Sequence, residues 1–126
     1  TVELEPGTPR YARFVCGLWN LWSRLAGWAA GSCVWVEAAA FRAVGGFGTE
    51  YYAGEEVFLS RRLKALARRS GRRFVILADH PLRTSSRKLK LYTLPEAGRF
   101  FFRMLFTAGR AAKRPENCEI WYDGRR

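Results

Sequence analysis

Aspartate is nearly absent from this chain. Its 126 residues hold two, Asp79 and Asp123, too far apart to make an Asp-x-Asp pair for a divalent cation. Cysteine is also scarce: Cys16, Cys33 and Cys118 are odd in number and scattered, which excludes a disulfide scaffold, and no CxxC spacing offers a zinc site. Such cysteines are expected to be reduced, mostly buried thiols of a cytoplasmic protein. There is one histidine, His80, a weak candidate metal ligand that needs companions from elsewhere and otherwise a structural or surface residue. No apolar run reaches the roughly 18 residues of a membrane span, because Arg13, Asn20, Ser23 and Arg24 break the most apolar stretch. No segment has the make-up of a signal peptide, and the Thr1 start fits either removal of an initiator Met or excision from a longer chain. Internal repeats and low-complexity segments are missing as well. What remains is a chain with 48% hydrophobic residues, long enough for one domain with a single core.

Positive charge, by contrast, is plentiful. A net charge of +11 attracts anions: nucleic acid, acidic lipid headgroups or a phosphorylated small molecule. The basic residues spread over helix ends without a nucleic-acid motif, so a nucleic-acid partner is not expected. Residues 1–8 alternate and then meet Pro6-Gly7, as in a short edge strand and turn. Thr8 as cap and Pro9 in the first turn predict a helix running to Gly27. Tyr11, Phe14, Val15, Leu18, Leu21, Trp22 and Leu25 share one side of it. Such a stripe either packs into the core or rests, with its arginines, on a bilayer surface or a partner.

Residues 31–66 organise the rest: a short buried strand over 31–36, a short helix over 37–44, a Gly45-Gly46 stop, Phe47 packing back, an exposed loop over 49–53, and a long helix. Tyr51 and Tyr52 in that loop either stack on a sugar ring or serve as lid or core residues. Gly54 keeps the approach open because it lacks a side chain. Glu55 and Glu56 then fall in the first turn of the long helix, where the helix dipole favours negative charge. Val57, Leu59, Leu63 and Leu66 make its apolar side, with Phe58 alongside; Arg61, Arg62, Lys64, Arg68 and Arg69 make a basic one.

The order Phe41-Arg42-Ala43-Val44-Gly45-Gly46-Phe47, then Gly54-Glu55-Glu56-Val57, then Leu59-Ser60-Arg61-Arg62-Leu63 resembles the acceptor-side half of a family 2, GT-A type glycosyltransferase. The resemblance implies an α/β fold, a partial GT-A-like domain of a few short strands packed with amphipathic helices. It also implies a nucleotide diphosphate (UDP) or nucleotide-sugar ligand and transfer of the sugar with inversion. Glu56 stands where that family carries its catalytic Asp, and Glu55 matches the preceding Glu. The family's nucleotide-binding half has no counterpart in the 126 residues. Catalysis is therefore expected to need a second polypeptide or self-association, with Mg or Mn as the cofactor such a donor would bring.

Further along, residues 74–78 (FVILA) read as a short buried strand, and Arg83, Thr84, Ser85, Ser86, Arg87 and Lys88 follow. Hydroxyls, turn amides and cations together can hold a phosphate, the alternative being a solvated basic loop. The resembling family carries a "tS.Rr" segment near the diphosphate at this place. Residues 95–108 predict a second aromatic helix, and Ile120-Trp121-Tyr122 an anchor that docks the tail. The first rival function is a non-catalytic remnant or regulatory subunit that binds a partner or membrane surface through its aromatic helices; the second is a basic nucleic-acid binder, which the net charge of +11 and the aromatic content suit.

Overall fold

The computed structural model describes residues 1–29, 33–86, 94–107, 110–118 and 122. Among them the chain is mixed: helices with a small parallel sheet. The order is β1 (Val2–Leu4), α1 (Arg10–Ala26), α2 (Ala38–Ala43), α3 (Glu55–Arg69), β2 (Leu82–Thr84) and α4 (Leu94–Phe106), followed by two 3-10 turns, Arg110–Lys113 and Pro115–Asn117. β1 is the expected first strand. Its partner is β2, aligned Val2 to Leu82 and Leu4 to Thr84, in a stretch that the sequence marks as loop.

The other side of β1 is closed by α1. The Asn20 amide brackets Val2, donating from Nδ2 to the Val2 carbonyl at 2.6 Å and accepting the Val2 N–H at 3.0 Å. One side chain thus takes the place of a neighbouring strand on an edge that would otherwise be open. α1 starts one residue later than expected, with Pro9 at its cap position. Thr8 does not cap it: its hydroxyl turns back to the Glu5 carbonyl at 2.7 Å. At the other end Gly27 takes the left-handed conformation (φ 61°), and Trp28 N–H bonds the Ser23 carbonyl at 2.9 Å.

The core expectation for α1 is corrected. The helix packs through Ala12 and Ser23, both buried, while every member of its apolar stripe is exposed, Leu25 at 73%. Small residues let the helix sit close to β1, and the large ones are left on the far side. Among the described residues the interior is correspondingly small, with Leu59 and Leu63 its only large buried aliphatic side chains, joined by alanines and Cys118. The thiols differ from expectation too: Cys118 is buried, Cys16 half-buried and Cys33 exposed.

Neither internal strand forms a ladder. The described part of the first, residues 33–36, and residues 74–78 carry no strand pairing. They flank an apolar groove of about 900 Å³ with Val34, Val36, Phe74 and Ile76 in its lining. Residues 74–78 end against the start of the chain, where the Thr1 ammonium donates to the Leu77 carbonyl at 2.7 Å and the Thr1 hydroxyl to the Ala78 carbonyl at 3.4 Å, but a regular ladder, which needs a backbone in register alongside, is not formed there. Ala111 and Ala112 before the tail and Cys118 within it are buried, and of the expected anchor Tyr122 meets Tyr52 edge-on. Ile120 and Trp121 lie outside the described residues.

Candidate functional site

The turn that presents α3 is built from local rules. α2 ends at Gly45 and Gly46, both at positive φ (77° and 65°), a conformation that side chains disfavour. Gly46 N–H bonds the Phe41 carbonyl at 2.9 Å, and Phe47 packs edge-on against Phe41, ring centres 5.6 Å apart. Gly54, at φ 69°, opens α3, and a side-chain carbon placed there would meet nothing within 4 Å. The approach to the helix start is therefore clear on that side.

Glu55 and Glu56 occupy the first turn of α3, as expected. Both are half-buried, and neither belongs to an ion pair among the described residues, where Arg72 with Glu37 is the pair formed. Burial pushes the Glu56 carboxyl above the usual carboxylate range; its own backbone amide opposes this, and the Glu55 charge adds to it. A carboxyl held this way takes up a proton more readily than an exposed one, which suits it to acid–base chemistry.

Ser60 fastens this turn, a role that sequence reasoning did not assign. Fully buried, its hydroxyl donates to the Glu56 carbonyl at 2.7 Å and accepts the Ala29 N–H at 2.9 Å. The signal available was a serine four residues after Glu56, the spacing at which a hydroxyl back-bonds along a helix. Two of the cations on the basic side of α3 also have structural partners. Arg62 donates to the carbonyls of Val44 and Gly46, at 2.9 and 2.7 Å, clamping the double-glycine turn. Lys64 donates to the Ala26 carbonyl at the end of α1, and desolvation first, then Arg68 and Arg61, lower its pKa. Cations at helix C-termini stabilise them. Arg62→Met is expected to cost about 2 kcal/mol, since it removes two charged hydrogen bonds from half-buried carbonyls; chemical denaturation with Arg62→Lys alongside measures it.

The two tyrosines of the aromatic loop differ in their surroundings. Tyr51 stacks on Phe58, ring centres 3.6 Å apart, and the Lys113 ammonium lies 5.0 Å from its ring centre. One face of that ring is thus taken up by packing. Tyr52 is exposed; it meets Tyr122 edge-on at 5.9 Å, and its N–H bonds the Ala112 carbonyl at 2.7 Å.

The basic segment after β2 divides in the same way. Arg83 and Ser85 are exposed and Thr84 half-buried, while Arg87 and Lys88 lie outside the described residues. Ser86 is buried, and its amide and hydroxyl both donate to Glu5 Oε1, at 3.1 and 2.8 Å. The turn does hold an anion, but that anion is the chain's own carboxylate, so Ser86 is withdrawn from a phosphate. No described hydrogen bond or ion pair joins this segment to Glu55 or Glu56. His80 is exposed, and no three His, Cys, Asp or Glu side chains gather around a common point among the described residues. The donor set for a divalent metal is thus not assembled by them.

No protein-family model matches the chain, and neither a curated protein nor a solved structure does so.

Proposed function

We propose that the chain is a partial GT-A-like domain of a glycosyltransferase-like protein that binds a nucleotide diphosphate, UDP, or the corresponding nucleotide sugar. The observation that carries the proposal is Glu56: a half-buried carboxyl with a raised pKa, free of ion pairs among the described residues, behind an open Gly54 at the start of α3. In the proposed reaction Glu56 takes the proton of an acceptor hydroxyl as that oxygen attacks the anomeric carbon. The bond to the diphosphate breaks on the opposite face, and configuration inverts. Glu55 assists by keeping the local field negative. Arg83, Thr84 and Ser85, with Arg87 and Lys88, supply cations and donors for the departing diphosphate. Mg or Mn would supply further charge to that leaving group, but the described residues assemble no donor set for it.

A second polypeptide or self-association would complete the site. The proposed setting is the cytoplasm, where thiols such as the exposed Cys33 stay reduced.

Calorimetric titration with UDP and with UDP-sugars tests the proposal. Saturable heat at submillimolar ligand, weakened by Arg83→Gln, is the expected result. A flat trace at millimolar ligand rejects it.

A further inference from the structure

We infer that the exposed face of α1 docks on an anionic lipid surface, with the helix lying in the plane of the membrane. At 3.6 residues per turn, Tyr11, Phe14, Leu18, Leu21, Trp22 and Leu25 fall within an arc of about 120°. All six are exposed, from 48% at Tyr11 to 73% at Leu25. Arg10, Arg13 and Arg24, also exposed, line one flank of this arc, and the helix carries no acidic side chain. Trp22, in edge contact with Trp28, lies on the other flank, where an indole suits the boundary between headgroup and acyl chain.

The stripe cannot turn inward without breaking what holds the opposite side. Asn20 is bonded to Val2, Ser23 to the Trp28 carbonyl, and Ala26 receives Lys64. The large side chains therefore stay outside, and their partner has to come from beyond the described residues. Charge decides which partner fits. Two copies meeting face to face would bring guanidinium flanks together with no carboxylate on either helix to offset them, on chains that each carry +11. An anionic bilayer meets both needs at once: acyl chains receive the apolar arc, and phosphates receive the arginines. Among the described residues no helix is long and apolar enough to cross a membrane, so α1 rests on the surface rather than spanning it. The inference does not depend on nucleotide binding.

Cosedimentation of the 126-residue chain with phosphatidylglycerol–phosphatidylcholine vesicles, and with phosphatidylcholine alone, tests it. Binding to the anionic vesicles is expected, with weaker binding to the zwitterionic ones. The Leu18→Gln/Leu25→Gln double variant should bind about 100-fold more weakly, since each leucine lost from the apolar phase is worth about tenfold or more. Arg10→Gln/Arg13→Gln/Arg24→Gln should lose about 100-fold on anionic vesicles only. All five positions are exposed, so unchanged circular dichroism is expected. The inference is overturned by no binding to anionic vesicles, or by equal binding of the variants. It is also overturned if sedimentation velocity shows a dimer that the double leucine variant dissociates, which would assign the face to a second copy.

Discussion

Replacing Leu59 with alanine is expected to lower stability by about 3 kcal/mol, the middle of the range for a buried leucine cut back to its Cβ. The reason is scarcity. Leu59 is 1% exposed and, with Leu63 at 6%, supplies the large aliphatic volume of the described interior. The other buried apolar residues described are alanines and Cys118, whose short side chains have little reach to fill a void. Leu59 also follows Phe58, which Tyr51 covers, and precedes Ser60, which ties α3 to Ala29. A loosened Leu59 would therefore slacken the turn that presents Glu56. Small domains have only about 5–15 kcal/mol of stability in all, so the loss should be obvious in urea unfolding. A cost below about 1 kcal/mol would mean that the core lies elsewhere.

Glu56→Gln carries the largest expected functional effect. If Glu56 is the base in the proposed transfer, its loss lowers turnover about 10²–10⁴-fold and leaves UDP affinity nearly unchanged, because the amide keeps the shape and loses the proton acceptor. The same variant has a consequence for stability whose sign follows from the raised pKa. The folded state binds the Glu56 proton more tightly than the unfolded chain does. Stability from this group is therefore present below the unfolded pKa and is lost as pH rises through the folded one. Glu56→Gln avoids the cost of ionising a half-buried carboxyl, so it should melt higher than the parent at neutral pH, with the difference shrinking on acidification. Thermal melts across the acid range, read beside a transfer assay, separate the two effects. Unchanged turnover with a normal stability shift would leave Glu56 a buried acid with no catalytic part.

What the sequence discloses here is what neighbouring residues settle among themselves. The start of α3 at Glu55, the left-handed glycines at 45 and 46, and the packing of Phe47 on Phe41 all follow from periodicity and backbone freedom within a few positions. Long-range partners are different. The Glu5 carboxylate reaches Ser86 across 81 positions, and nothing in either neighbourhood announces the pairing. β1 and β2 likewise show their match only in space, and residues 74–78 have a strand's composition without strand pairing. The α1 stripe marks the same boundary. Spacing reveals an apolar face, but whether that face turns inward depends on the small residues opposite, Ala12 and Ser23, and on Asn20 closing the edge of β1.

Everything proposed for the site depends on Glu56 being kept apart from the many cations of a strongly basic chain. Carbon-13 NMR of the glutamate carboxyls, assigned with Glu56→Gln and followed from acid to neutral pH, measures this directly. A Glu56 midpoint above that of an ordinary glutamate is the expected result. A midpoint at or below the ordinary value would place a cation against the carboxylate and contradict the account.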